Sequence, residues 1–187
     1  MTHRANAAAA GVPMPGRART PPRRTRATDT SVAGVTAYIG IGANLGDAQA
    51  NVRNAMKALS RLPQTAVTAK SPMYLSAPLD ASGPDYVNAV VEVATQLAPI
   101  ELLEALQALE QAAGRERPFP NAPRTLDLDL LLYGEVAMES PRLTLPHPRM
   151  NDRAFVLVPL ADVAPSRVRA AQLRAVAGQV LRRLNSL

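Results

Sequence analysis

The segment Leu126-Asp-Leu-Asp-Leu-Leu-Leu-Tyr133 constrains the fold of this chain more than any other. Along an extended strand successive side chains point to opposite faces. Leu126, Leu128, Leu130 and Leu132 then share one face, and Asp127 and Asp129 share the other. The pattern asks for a sheet with one face on an apolar core and the other free to carry two neighbouring carboxylates. Those carboxylates repel and desolvate each other, so on a core strand they need a cation. Mg²⁺ suits such a pair, since it takes one or two carboxylates and completes its shell with water and substrate phosphates. Taken alone, the pair reads more readily as two harmless aspartates on a solvent-facing edge.

The remaining elements follow from periodicity and punctuation. Val35, Ala37, Ile39 and Ile41 alternate as a strand does. Asp47 is placed to cap a helix in which Val52, Met56 and Leu59 recur at helical spacing until Pro63. Residues 65–75 read as a strand interrupted near Pro72, and residues 77–84 as a loop. Residues 86–94 form a strand with Val87, Ala89, Val91 and Val93 on one face. Pro99 opens a second helix with Leu102, Leu106, Leu109 and Ala113 on one stripe, and Gly114 ends it. A loop over 115–123 leads into the strand over 126–133, and a last helix is predicted over 168–184. The order β-α-β-β-α-β is ferredoxin-like: an α+β domain with an antiparallel sheet, both helices on one face, and further helices at the C-terminus.

The net charge of +6 suggests a nucleic-acid partner until it is located. Residues 1–34 hold six arginines against Asp29, whereas residues 35–187 hold 15 basic and 14 acidic residues. The body is nearly neutral and lacks the electrostatic footprint of a nucleic-acid binder. Residues 1–34, rich in Ala, Arg and Pro, cannot bury enough apolar surface to fold, so they are expected to be a disordered extension to a single domain over 35–187. A dispensable tail, a targeting segment and a misassigned start all fit that composition. With no cysteine, the chain has no disulfide framework, thiolate metal site, iron–sulfur cluster or cysteine nucleophile. No apolar run approaches the ~20 residues of a membrane span, and a cytoplasmic protein is expected.

Basic residues surround the Asp pair. Arg124 directly precedes it, Arg115 and Arg117 lie in the loop before, and Arg142, His147, Arg149 and Arg153 follow. Carboxylates for a metal plus guanidiniums for phosphate oxygens are what phosphoryl transfer needs. Tyr86 and Asn88 share the face opposite Val87 and Val91, and a ring beside an amide suits a flat heterocycle with donor and acceptor edges. Gly40 and Gly42 with Gly46 fall one residue off a dinucleotide fingerprint. They are read as allowing the strand–helix turn and the close approach of backbone or ligand.

The segments Pro123-Arg-Thr-Leu-Asp-Leu-Asp129, Leu145-Pro-His-Pro-Arg-Met150, Arg153-Ala-Phe-Val-Leu-Val-Pro-Leu160, Ile39-Gly-Ile-Gly-Ala-Asn-Leu-Gly46 and Asp85-Tyr-Val-Asn-Ala-Val90 closely resemble the 6-hydroxymethyl-7,8-dihydropterin pyrophosphokinases of folate biosynthesis. The resemblance runs in order from residue 35 to about 165. It implies transfer of the terminal pyrophosphate of ATP to the hydroxymethyl group of the dihydropterin, leaving AMP, with two Mg²⁺ ions on Asp127 and Asp129. It also implies a nucleotide site at Gln107, Glu110, Arg115, Arg117, Arg124, Leu130, Arg142, Thr144, His147 and Arg153. Pterin positions fall at Ser76, Leu79, Tyr86, Asn88, Asp127 and Phe155, with Tyr86 and Phe155 stacking on the ring. Arg115, Arg124, Asp127 and Asp129 carry the catalytic positions. The loops 76–85 and 115–123 resemble the family's mobile loops. A monomer acting on two small molecules is expected. Departures are Ser76-Ala77 where some members have Thr-Pro, Asn121 where some have Trp, and Pro148 where some have Tyr. Two other readings remain: an RNA-recognition-like module, which shares the element order, and an inactive relative. The first needs exposed aromatics on the two central strands, and intact Asp127, Asp129, Arg124 and His147 weigh against the second.

Overall fold

The computed structural model describes residues 1–2, 34–79, 83–114 and 123–185. The chain divides into two units, Met1–Thr30 and Ser31–Leu187. The expected extension over 1–34 lies outside the described residues but for Met1, Thr2 and Gly34, as do Arg115, Arg117 and Asn121.

In the second unit, β1 (Val35–Ala43) is followed by α1 (Ala48–Leu59), β2 (Thr65–Lys70), β3 (Tyr74–Ser76), β4 (Tyr86–Thr95), α2 (Pro99–Ala112) and β5 (Asp127–Tyr133). Next come a ribbon of β6 (Met138–Glu139) and β7 (Thr144–Leu145), then α3 (Ala154–Val163), α4 (Ala170–Ala175) and β8 (Leu181–Arg183). The main sheet runs β5-β1-β4-β3-β8, with β2 also paired to β4, and every pairing is antiparallel. Breaking near Pro72, as expected, the 65–75 segment contributes two short strands to one edge of β4.

The first two helices start where their sequences say they must. The Asp47 carboxylate accepts the Ala50 N–H at 2.9 Å, pairing one of the donors a helix leaves open. Glu101 in the first turn of α2 accepts the Ala98 N–H at 2.8 Å. Gly114, with φ +73, takes the left-handed conformation that ends α2. Val52, Met56 and Leu59 of α1 and Leu102 and Leu106 of α2 pack on Ile39, Ile41, Val87, Val91, Leu128 and Leu130 in one core.

The opposite face is half covered. Val156, Leu157 and Leu160 of α3 pack on Tyr38, Val90 and Leu131 in a second core. The sequence reading did not find α3: a helix that is apolar nearly all round shows little 3.6-residue period. Two expectations are corrected here. Leu132 does not join Leu126, Leu128 and Leu130, because a register shift in the β1–β5 ladder turns Leu131 and Leu132 together towards the second core and returns Tyr133 to the first. The helix over 168–184 is only Ala170–Ala175, and residues 181–183 are a strand on the free edge of β3. Gly178 weakens the helix, and Leu184 N–H to Met73 O at 2.8 Å extends the edge pairing past it.

Candidate active site

The half of the sheet face that α3 leaves open carries the residues that sequence singled out. Register lines up Asp127, Gly42 and Asn88 across β5, β1 and β4, with Asp129, Gly40 and Val90 in the next such row. Gly42 makes the floor of the gap. A Cβ there would lie 3.5 Å from Asn88 Oδ1 and 3.9 Å from both Asp127 Cβ and Tyr86 Cδ1. Any longer side chain would project between the carboxylate and the amide. Close approach is thus the part that Gly40 and Gly42 play; both lie inside β1, and the turn belongs to Gly46 at φ +61.

On the carboxylate side, Arg124 Nη1 donates to Asp127 Oδ2 at 2.6 Å, and both side chains are partly buried. Burial and then the Asp127 charge push the Asp129 carboxyl above its ordinary pKa, against the pull of His147, Arg153 and Arg124. Burial lowers the His147 pKa and outweighs the opposing effect of Asp129. Its Nδ1 accepts the Arg149 N–H at 3.3 Å, so the neutral ring carries its proton on Nε2. Among the described residues no three His, Cys, Asp or Glu side chains cluster as a metal site. A carboxylate pair beside open space is nonetheless what Mg²⁺ uses when phosphate and water complete its shell.

On the Asn88 side, Nδ2 donates to Ser76 Oγ at 3.0 Å, and both residues are buried. That bond leaves Oδ1 facing the space above Gly42. Tyr86 borders the same space. Leu79 is exposed. Phe155, in the first turn of α3, packs partly buried against the second core, with the Arg153 guanidinium over its ring at 5.4 Å.

The residues expected at a nucleotide site separate into two groups. Arg142 Nη2 pairs with Glu104 Oε1 at 2.9 Å, which ties the β6–β7 hairpin, with Thr144, to α2 one turn from exposed Gln107. Glu110 is buried, and its Oε1 accepts the Leu128 N–H at 2.7 Å. That amide sits between the two aspartates on the outer edge of β5, so Glu110 fixes the strand that presents them. Leu130 points into the helix-side core and can offer a ligand only its backbone. Glu110→Ala should lower unfolding free energy by about 1–3 kcal/mol, since it leaves a buried N–H unpaired, and Glu110→Gln by less, since an acceptor remains. Urea unfolding of the two variants checks this, and parental stability in Glu110→Ala contradicts it. Sequence gave this carboxylate no structural role because a lone Glu late in a helix looks like a solvent residue. Asn44, quoted only inside a motif, was missed altogether.

A family model described as 7,8-dihydro-6-hydroxymethylpterin-pyrophosphokinase matches residues 38–165. A Pseudomonas aeruginosa protein named 2-amino-4-hydroxy-6-hydroxymethyldihydropteridine pyrophosphokinase is 50% identical over 129 residues, which is 68% of this chain and 80% of that one. One of the same name from Haemophilus influenzae is 44% identical over 135 residues, 72% of this chain and 84% of that one. Among solved structures, a Plasmodium falciparum HPPK-DHPS with pteroate superposes with a TM-score of 0.54 at 12% identity, over 70% of this chain and 40% of that one. An HPPK-DHPS in complex with substrates gives a TM-score of 0.56 at 12% identity, over 77% and 43%. This chain spans about two-fifths of those longer chains, and at such identity the likeness shows the fold alone.

Proposed function

Since the chain belongs to the 7,8-dihydro-6-hydroxymethylpterin-pyrophosphokinase family, we infer from its own residues how it moves pyrophosphate from ATP to 6-hydroxymethyl-7,8-dihydropterin. The row Asp127–Gly42–Asn88 carries the reading: it sets a carboxylate pair and a heterocycle-reading amide on one open face, two strand spacings apart, roughly 10 Å. Asn88 Oδ1 accepts from an edge of the pterin, with Ser76 holding the amide in that orientation. Tyr86 and Phe155 stack on the ring, and the backbone near Leu79 borders it.

Asp127 and Asp129 would hold two Mg²⁺ ions. When bound, these supply positive charge to the oxygens on either side of the reacting phosphorus. The hydroxymethyl oxygen attacks the β-phosphorus, the bond from that phosphorus to the α–β bridging oxygen breaks, and AMP leaves while the hydroxyl proton is released. Arg124 turns from Asp127 to the transferred group. Arg153 and the Nε2–H of His147 donate to phosphate oxygens, and Arg115 and Arg117 are assigned there by family likeness. Gln107, Arg142 and Thr144 flank the nucleoside. Glu110 acts through β5, and Leu130 through its backbone.

The protein is proposed to act as a monomer. ATP as co-substrate supports the cytoplasm; no helix among the described residues is long and apolar enough to cross a membrane. On the face of β1 that an RNA-recognition-like module would need for exposed aromatics, Tyr38 is buried under α3 and the open part presents Gly40 and Gly42. The direct test is to mix the protein with ATP, Mg²⁺ and the hydroxymethyl-dihydropterin and to measure AMP. AMP that depends on the pterin is expected, and its absence overturns the reading.

Residues 1–34 are proposed to be a dispensable extension. Their removal should leave turnover and the thermal midpoint unchanged, given six arginines, one aspartate and almost no large apolar side chain. A fall in the midpoint of more than about 5 °C would show that the segment docks on the domain.

A further inference from the structure

Asn44 ends the open face of β1 and is 3% exposed. Its Oδ1 accepts the Arg124 N–H at 2.8 Å, while its backbone N–H donates to Arg124 O at 3.1 Å. Its Nδ2 donates to Pro84 O at 3.2 Å. Those partners lie 80 and 40 residues away in sequence. A single buried amide thereby joins the approach to β5, which carries Arg124, to the approach to β4, which carries Tyr86 and Asn88. Gly83 reinforces the junction: a Cβ there would stand 3.2 Å from Pro123 Cγ and 3.5 Å from Asn44 Nδ2, so the two segments meet where no side chain intervenes.

We propose that Asn44 is a positioning residue that fixes the Arg124 backbone and ties it to the Pro84 segment, so that the phosphate and pterin halves of the site are set as one unit. The proposal rests on the role given to Arg124 above. An amide is the side chain that meets both demands, since it offers an acceptor and a donor from one planar group. Asp lacks the donor, and Ala lacks both.

The test is a double-mutant cycle in the AMP assay with Asn44→Ala, Arg124→Ala and the pair. Asn44→Ala should lower kcat by about 10–100-fold in the parent but by less than about threefold when Arg124 is already Ala, because both changes act through one guanidinium. KM for the pterin should rise about tenfold in both backgrounds, since the Pro84 bond does not pass through Arg124. If Asn44→Ala does not fold, Asn44→Asp carries the test: it keeps the acceptor for Arg124, so kcat should stay within about threefold while KM for the pterin rises about tenfold. Losses in kcat that multiply in full, or an unchanged pterin KM in Asn44→Asp, overturn the proposal. Parental kcat in Arg124→Ala is a separate result: it overturns the role given to Arg124, and this proposal with it.

Discussion

Replacing Asp129 by asparagine should make the metal-free protein more stable and nearly abolish its turnover. The carboxyl is raised above its ordinary pKa by burial first and by the Asp127 charge second. Its folded pKa therefore lies above the unfolded value near 3.8. The stability it contributes is present below the unfolded pKa and is lost as pH rises through the folded one. The amide does not titrate, so the advantage of Asp129→Asn should be small at low pH and grow as pH rises across that interval. Asp127→Asn differs, because Asp127 accepts from Arg124 at 2.6 Å. There the relief of carboxylate repulsion is offset by a lost ion pair, and stability should scarcely change. Mg²⁺ with a non-hydrolysable ATP analogue should stabilise the parent by about 2.7 kcal/mol at a hundredfold excess over Kd, and both variants by less. Turnover should fall by about three orders of magnitude or more, because charge on both sides of the reacting phosphorus loses its anchor. Pterin binding should survive in Asp129→Asn, since the pterin positions, Asp127 among them, are intact. Calorimetry at two pH values and the AMP assay on the same preparations read all of this. Near-normal turnover with normal Mg²⁺ dependence in either variant would mean that these aspartates are not the metal ligands.

How far the sequence led depended on whether a signal was local. Alternation in 86–94 and 126–133 put Asn88, Asp127 and Asp129 on one face because strand periodicity is a property of neighbouring residues. Asp47, Pro99 and Gly114 bounded the helices for the same reason. What stayed hidden is non-local. The register shift that turns Leu131 and Leu132 to the second core is a relation between β5 and β1. The strand Leu181–Arg183 exists because β3 has an edge to fill, and its own residues are fair helix formers. Asn44 and Glu110 take their partners 80 and 18 residues away, so nothing in their own neighbourhood signals the work they do. The resemblance assigned site positions that periodicity could not, and the structure adds which of them border the open space and which, like Glu110 and Leu130, are buried on its helix side.

Arg124→Ala should reduce kcat by about 100–1000-fold while raising KM for ATP by much less, about threefold. This guanidinium neutralises Asp127, and its backbone is gripped on both sides by Asn44. Were Asp127 to hold a metal, that neutralisation would be redundant, and the guanidinium could donate to the charge that gathers on the departing and transferred phosphate oxygens. Such charge is greatest in the transition state, so the loss belongs in kcat. Arg124→Lys should recover only part of it, since an ammonium keeps the charge but lacks the planar pair of donors. The metal-free protein should lose some stability in Arg124→Ala, because the Asp127 carboxylate, already beside Asp129, then loses its ion pair with Arg124. Steady-state kinetics with ATP varied at saturating pterin separate the possibilities. A raised KM with parental kcat would place Arg124 in ground-state nucleotide binding, and the charge that develops in the reaction would then fall to Arg153 and His147, whose replacement should in that case cost the larger share of kcat.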